Sequence, residues 1–259
     1  MQIATWNVNS VRAREPRVLQ FLERTGVDVL AMQEIKCKPE QFPVQSFEEL
    51  GYKVIAHGLN QWNGVAFAYK NTLEARDIEL SFPQQPHFND VLEARALGAT
   101  FNGIRLWSLY VPHGRALDDP HMDYKLEFLE RLASHVAEEL EENPESEMAL
   151  MGDFNIAPLD KDVFNVGFFD THVSEPERDA FEVFEQIGFS DLHRTFVPDG
   201  YTYWDYKDLR FPRNEGMRID FVLSSPALTD RIESGTIERD ERKGEGPSDH
   251  VPVISLISD

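Results

Sequence analysis

An apolar run over residues 148–151 is followed at once by Gly-Asp-Phe-Asn-Ile-Ala-Pro at residues 152–158. The run predicts a buried strand, and the glycine and the proline end it abruptly. Asp153 and Asn155 are two residues apart, so on an extended backbone both side chains leave the same face. A carboxylate and a carboxamide at the end of a buried strand suit a hard metal ion or a polarised water, although ordinary Asx turns also use this pattern.

Three further predicted strands end in polar residues in the same way. Asn7 lies near the end of the first strand, Glu34 lies just past the end of the second, and the adjacent Asp249 and His250 form a turn before the last. Binding groups on open α/β sheets gather outside strand ends, so the four segments predict one common site. The alternative is four unrelated polar caps, and it loses force as the number of such ends grows.

These segments resemble those of the exonuclease III family of class II AP endonucleases, within the endonuclease/exonuclease/phosphatase superfamily. The resemblance covers nearly the whole chain in order, spacing and local context. The segments that carry it are residues 6–14, 33–36, 109–112, 152–155, 218–221 and 248–250. It implies an α/β fold, a four-layer sandwich of two mixed β-sheets flanked by helices, whose halves are related by internal duplication.

The chain has 259 residues, enough to bury a sizeable core. It has no Ser/Gly-rich linker and no helical repeat, and strands alternate with helices from end to end, so we predict a single domain over residues 1–259. The periodicity predicts strands at residues 2–8, 27–33, 52–57, 64–70, 91–101, 104–111, 148–152, 219–224 and 251–257. It predicts helices at residues 15–25, 121–141 and 179–187.

The chain contains one cysteine, Cys37, which allows no internal disulfide and fits a reducing compartment. The first predicted strand begins at residue 2, which leaves no room for a signal peptide, and no apolar run approaches the length of a membrane span. We therefore expect a cytoplasmic monomer with no membrane contact.

The net charge is unusual for a protein that binds nucleic acid. The chain carries 46 acidic and 25 basic residues, a formal charge of −21, whereas a basic footprint is the normal expectation. The acids concentrate at residues 138–147, 175–185 and 238–245, and the bases lie near the motifs. Those bases are Arg12, Arg14, Arg17, Lys36, Lys38, Arg115, Arg210, Arg213 and Arg218. We therefore predict an acidic back and a locally basic site face.

The predicted metal ligand is Glu34, because a carboxylate at a strand end suits Mg²⁺, or Mn²⁺ in its place. Asn7 and Asp249 are the expected companions on the same ion. Asp153, Asn155 and His250 are further candidate ligands. The alternative for Glu34 is a surface salt bridge to Lys36. A second metal site stays open, because Asn9 replaces a carboxylate that some family members have.

Hydrolysis of a phosphodiester needs charge neutralisation, an activated water and a stabilised leaving oxygen. We assign Asp153 to the water, with Asn155 holding the water or the oxyanion. His250 would contact the phosphate or share the water, and Asp220 would fix its tautomer. Whether Asp153 or His250 is the base stays open, and the alternative for Asp220 is a buried ion pair with Arg218.

The resemblance implies further roles. It places Tyr110 at the phosphate or the leaving oxygen, and it makes the aromatic run at residues 201–206 part of a pocket for a baseless sugar. Two departures from the family pattern bear on this pocket: Met217 stands where some relatives have an aromatic, and His113 replaces an amide that many relatives have. The predicted DNA-binding residues are Arg14, His113, Arg115, Tyr203, Trp204, Arg213 and Met217.

The leading prediction is a Mg²⁺-dependent DNA repair phosphodiesterase that acts on double-stranded DNA, cutting 5′ to abasic sites and trimming 3′ ends. The alternatives are a phosphatase or sphingomyelinase-type phosphodiesterase of the same superfamily, or a catalytically silent DNA-binding module. Glu34, Asp153 and His250 are all present, which argues against the silent module. The sequence does not rank the endonuclease, exonuclease and 3′-phosphatase activities.

Overall fold

The computed structural model describes residues 1–191 and 193–258. Its α-helices are α1 (Val11–Thr25), α2 (Val44–Glu49), α3 (Pro120–Glu142), α4 (Glu175–Gln186), α5 (His193–Phe196) and α6 (Pro226–Thr229). Its strands are β1 (Gln2–Asn7), β2 (Val29–Gln33), β3 (Tyr52–His57), β4 (Val65–Lys70), β5 (Ala75–Glu79), β6 (Ala96–Phe101), β7 (Ile104–Tyr110), β8 (Met148–Asp153), β9 (Asp220–Ser224), β10 (Ile232–Ile237) and β11 (Val253–Ile257).

The strands form two mixed sheets. The first has the order β10-β11-β1-β2-β4-β3 and the second the order β5-β6-β7-β8-β9. From β3 in the first sheet and from β5 in the second, successive neighbours pair antiparallel, antiparallel, parallel and antiparallel. A helix makes each parallel crossover, α1 between β1 and β2 and α3 between β7 and β8. This shared pattern is what two related halves would produce.

Three apolar clusters separate the layers. The middle cluster joins the inner faces of both sheets, for example Phe67 of the first sheet with Met151 of the second. An outer cluster packs α1 and α2 on the first sheet, and the other packs α3 and α4 on the second. The order of layers is therefore helix, sheet, sheet, helix, and the predicted four-layer sandwich is confirmed.

β1 illustrates how the sequence determines the layers. Ile3 belongs to the cluster between the sheets, whereas Ala4, Trp6 and Val8 belong to the cluster beneath the helices. Burial of a large apolar side chain contributes roughly 1.5–3 kcal/mol, and a shift of register by one residue would transfer each set of side chains to the other cluster, where it does not fit. The same alternation directs Asn7 to the inner face, where the two sheets meet.

Among the described residues, no helix has both the length and the apolar character needed to cross a membrane.

Candidate active site

The register of the second sheet aligns three predicted site residues in one row. Tyr110, the last residue of β7, pairs with Asp153 of β8, and Asp153 pairs with Asp220 of β9. In the first sheet Asn7 of β1 pairs with Gln33 of β2, directly before Glu34. The site therefore lies where central strands of both sheets end.

The backbone turns sharply at these strand ends. Glu34 follows β2 with φ of 50°, and Asn155 follows β8 with φ of 52°; both are left-handed conformations that side chains other than glycine rarely adopt. Gly152 also has a positive φ, of 153°, and a Cβ at that position would lie 1.9 Å from the carbonyl oxygen of Leu109. Such unfavourable backbone persists where the surrounding structure holds it, and it clusters at functional sites.

Glu34, Asp153 and His250 meet at the centre of the site. Each offers one potential ligand atom, and these atoms lie within 4.8 Å of one another. The Asn7 amide Nδ2 donates to Glu34 Oε1 at 2.7 Å and to Asp153 Oδ2 at 2.9 Å. Segments that are as much as 243 residues apart in sequence thus converge on a cluster of oxygen atoms with one imidazole beside it.

The two carboxylates have opposite electrostatic environments. Burial alone would raise the pKa of Glu34, but Lys36 and the Asn7 amide outweigh it and lower that pKa. Burial raises the pKa of Asp153 to about 7, and His250 and Asn7 only partly oppose this shift. One carboxylate therefore stays charged, while the other exchanges protons near neutral pH.

Asp220 orients His250. The Nδ1 atom of His250 lies 2.8 Å from Asp220 Oδ2, and its Nε2 lies 3.7 Å from Asp153 Oδ2. Burial would lower the pKa of His250, but Asp220 and Asp153 raise it to about 10. The imidazole is therefore held charged, with Nδ1 occupied and Nε2 directed into the site.

The donor set fits a hard divalent ion. Glu34 and Asp153 place carboxylate oxygens on either side of the Asn7 amide, and a half-turn of that amide would put its oxygen, which accepts from the Asn9 N–H in this structure, in place of its nitrogen. Hard cations prefer such oxygen ligands. The Nδ1 atom of His250 is already committed to Asp220, which leaves its Nε2 for the substrate.

Asp249 lies outside the described cluster of potential ligands, although we predicted it as a ligand beside Glu34. Its Oδ1 accepts a hydrogen bond from Asn9 Nδ2 at 3.0 Å. The Oδ1 atom of Asn9 accepts in turn from Lys36 Nζ at 2.6 Å, and Lys36 pairs with Glu34 Oε2 at 2.9 Å. The salt bridge considered as an alternative for Glu34 thus exists, but inside the site.

Comparison with known proteins decides the family. Residues 4–250 match the Endonuclease/Exonuclease/phosphatase family. The chain belongs to this family. Exodeoxyribonuclease III of Haemophilus influenzae is 30% identical over 272 residues, covering 98% of each chain, and an exodeoxyribonuclease of Bacillus subtilis is 29% identical over both entire chains.

Solved structures agree. A 3′ phosphatase from Neisseria bound to a product DNA hairpin gives a TM-score of 0.93 at 33% identity, and an AP endonuclease from Archaeoglobus fulgidus gives 0.91 at 32% identity. Both comparisons cover 100% of each chain. The predicted family, the predicted fold and the predicted class, a DNA repair nuclease, are confirmed, and members of the family depend on a divalent metal.

A cavity of about 370 Å³ lies beside the cluster of Glu34, Asp153 and His250. Tyr203 and Met217, both predicted DNA-binding residues, line it together with His113. The ring of Tyr203 lies 4.9 Å from that of His250. The cavity therefore joins the predicted sugar pocket to the catalytic centre.

Two predicted residues lie elsewhere than expected. Trp204 is completely buried and packs edge-on against Phe211, so it supports the pocket from behind and presents no surface to DNA. Arg218 is also buried; it pairs with Asp191 rather than with Asp220, and it does not belong to a basic face. In both cases the sequence identified the neighbourhood correctly but not the direction of the side chain.

Only some arginines of the predicted basic face are exposed without a neighbouring acid that offsets their charge. Arg115 is exposed and lines a second cavity with Tyr110 and His113. Arg14 is half-buried and donates to the Tyr206 hydroxyl at 2.8 Å and to the Pro247 oxygen at 3.4 Å. Arg213 lies 3.1 Å from Glu215, which offsets its charge.

Two groups next to the site were missed in the sequence. The guanidinium of Arg95 lies 4.8 Å from the centre of the Tyr110 ring. Lys125 of α3 and Glu177 of α4 form a fully buried ion pair beneath Asn155. A signal for the pair existed, since Lys125 lies on the buried face of α3, next to the apolar positions that predicted the helix.

Proposed function

We propose that the protein is a Mg²⁺-dependent phosphodiesterase that acts on double-stranded DNA at abasic sites or at damaged 3′ ends. The observation that carries this proposal is the convergence of Asn7, Glu34, Asp153 and His250 where the two sheets end. The named relatives add weight, since they include an AP endonuclease and a 3′ phosphatase with its product DNA.

Glu34 and Asn7 would hold the metal ion, with Asp153 beside it. When bound, the ion supplies positive charge to the phosphate and lowers the pKa of a water. The lowered pKa of Glu34 fits a ligand that is charged at neutral pH. Lys36, paired with the outer oxygen of Glu34, keeps that carboxylate pointed into the site.

Asp153 is suited to accept the proton of the attacking water. Its Oδ1 accepts the backbone N–H of Asn155 at 2.9 Å, which fixes the carboxylate and leaves Oδ2 facing Asn7 and His250. Burial raises its pKa to about 7, the range in which a general base works best at neutral pH.

His250 would neutralise the phosphate through Nε2. Asp220 holds its Nδ1 proton, and the Nε1–H of Trp6 donates to its backbone oxygen at 3.1 Å, so the ring has one direction available. A charged imidazole in a dry site stabilises the negative charge that develops on the phosphate oxygens. The side chains of Asn155 and Tyr110 would flank the same phosphate.

We also infer that the chain works as one domain, because both sheets share the middle core, and as a monomer, because one chain supplies the whole Glu34–Asp153–His250 cluster. The cytoplasmic location stays a prediction that rests on the cysteine content.

One assay tests the proposal. A duplex is prepared with an abasic site in one strand, a 3′-phosphate on the other strand and a recessed 3′ end, and each strand is labelled separately. We expect Mg²⁺ to support release of at least one product and EDTA to stop it, with His250→Ala inactive as the control for contaminating nucleases. If all three features remain intact in Mg²⁺ and in Mn²⁺, the proposal is wrong.

A further inference from the structure

Asn155 is held from behind by an ion pair that is closed to solvent. Lys125 and Glu177 each have no exposed side-chain surface, and Lys125 Nζ lies 2.5 Å from Glu177 Oε1. Lys125 Nζ also donates to the backbone oxygen of Asn155 at 2.7 Å and to that of His113 at 3.4 Å. All three donors of the ammonium group are therefore used, two of them by loops of the site.

Glu177 extends the same connection to a third loop. Its Oε1 accepts the backbone N–H of His172 at 2.9 Å, and its Oε2 accepts the hydroxyl of Ser174 at 2.6 Å. The ring of His172 returns to the Asn155 oxygen through Nδ1 at 2.5 Å. One ion pair thus joins the loops after β7 and β8 to the segment before α4.

Asn155 needs such support. Its backbone has a left-handed φ of 52°, which costs free energy in an asparagine, although less than in most residues. Its side-chain Nδ2 donates to the backbone oxygen of Val111 at 3.0 Å, which leaves the amide oxygen directed away from that bond. The direction of the amide therefore depends on the backbone that Lys125 holds.

A buried ion pair is a poor source of stability, because apolar residues of the same volume often serve as well. Such a pair can instead fix the geometry of the groups around it, since a charged donor with three fixed acceptors defines one arrangement. We propose that Lys125 and Glu177 are positioning residues that fix Asn155 and thereby aim its side chain at the substrate phosphate. This inference rests on the proposed function.

A double-mutant cycle tests it. The pair is replaced together as Lys125→Met/Glu177→Gln, which leaves no unpaired buried charge, and the change is combined with Asn155→Ala. We expect the pair variant to lower kcat about tenfold or more with KM within about threefold, and the triple variant to match Asn155→Ala alone within about twofold. Multiplicative losses in the triple variant, or full kcat in the pair variant, would overturn the proposal.

A second readout needs neither metal nor substrate. The side-chain amide signal of Asn155, assigned by its loss in Asn155→Ala, should shift or broaden in the NMR spectrum of the pair variant. Leu132→Ala, a buried apolar change seven residues after Lys125 in α3, should destabilise the protein but leave both that signal and kcat unchanged. An unmoved signal in the pair variant contradicts the proposal. If the unmodified enzyme cuts no DNA, the proposed function fails, while the spectrum still decides the role of the pair.

Discussion

At the scale of single residues, the site gives opposite pKa shifts to two carboxylates that accept hydrogen bonds from the same amide. Asn7 donates to both Glu34 and Asp153, yet the pKa of Glu34 is lowered and that of Asp153 is raised to about 7. Lys36 accounts for much of the difference, because it pairs with Glu34 and not with Asp153. Paired acids whose pKa values are driven apart commonly divide into an electrostatic group and a proton acceptor.

The dependence of His250 on Asp220 gives a kinetic prediction. Asp220→Asn should lower kcat by roughly 10²- to 10⁴-fold, because an amide no longer fixes the ring or stabilises its charge. His250→Ala combined with Asp220→Asn should lose little more than His250→Ala alone, since the two act as a unit. Single-turnover rates on the abasic duplex measure both effects. Losses that multiply would mean that Asp220 acts independently of His250.

At the scale of the elements, β8 carries the largest share of the site. It lies between β7 and β9, it contributes Asp153, and Gly152 allows it to pass close to Leu109. The glycine at this point of the motif is therefore a requirement of strand packing rather than of chemistry.

Two glycine substitutions test this requirement. Gly152→Ala should lower the free energy of unfolding by roughly 3 kcal/mol or more, because the new methyl group overlaps the Leu109 backbone at 1.9 Å. Gly103→Ala is the control: it also has a positive φ, of 85°, but no atom lies within 4 Å of the new Cβ, so we expect a loss of about 1–2 kcal/mol. Urea unfolding measures both. Equal losses in the two variants would show that the close approach to Leu109 is not what requires a glycine at position 152.

The sequence predicted the central elements better than the peripheral ones. Every predicted strand and helix has a counterpart, because each carries a clear apolar period. β5 and β10 were missed: both are edge strands, and β5 exposes four of its five residues, so neither has the alternation that reveals a half-buried strand. The short helices α2, α5 and α6 are too brief to show a helical period.

The site was predictable where a polar residue lay beside either end of a strand. Glu34, Asp153 and His250 were found in this way, and the structure brings them together. The direction of Trp204 and the partner of Lys125 were not predictable, because each depends on packing between segments that are distant in sequence.

At the scale of the whole molecule, charge polarity decides how an acidic protein approaches DNA. The site face combines an exposed Arg115 with an Arg213 that Glu215 partly neutralises. The acidic stretch at residues 138–147 belongs to the end of α3 and the loop before β8. Salt screens its repulsion beyond about 8 Å at physiological ionic strength, so it has little effect on DNA held at the opposite end of β8.

Salt dependence distinguishes the two arginines. Arg115→Gln should reduce the slope of log affinity against log salt by about 0.9, the value for one lost phosphate contact. Arg213→Gln should reduce it less, because Glu215 already offsets that charge. Glu141→Gln serves as the control and should leave the slope unchanged. If all three variants keep the slope of the unmodified protein, Arg115 and Arg213 do not contact DNA phosphates.

Buried histidines predict that the fold is sensitive to acid. Burial lowers the pKa of His193 from 6.5 to about 4, and its ring contacts the Thr236 oxygen and the Ser255 hydroxyl as a neutral group. Because the unfolded chain takes up this proton first, stability present above pH 6.5 is lost as the pH falls towards 4. The loss at pH 5 is about 2 kcal/mol for this residue.

The comparison of two variants isolates that contribution. Between pH 7.5 and pH 5, His193→Gln should lose about 2 kcal/mol less unfolding free energy than the unmodified protein does. The exposed His87→Gln should follow the unmodified protein. Identical pH profiles for His193→Gln and the unmodified protein would show that the ring takes up its proton without unfolding.

Mn²⁺ binding followed by electron paramagnetic resonance tests most directly whether the strand ends form a metal centre. Weak surface sites contribute equally to closely related variants, so the comparison of Glu34→Gln with Glu141→Gln removes them. We predict that Glu34→Gln loses the tightest Mn²⁺ site, that Mg²⁺ competes for this site in the unmodified protein, and that Glu141→Gln retains it. Equal Mn²⁺ affinity in Glu34→Gln and the unmodified protein would contradict the account.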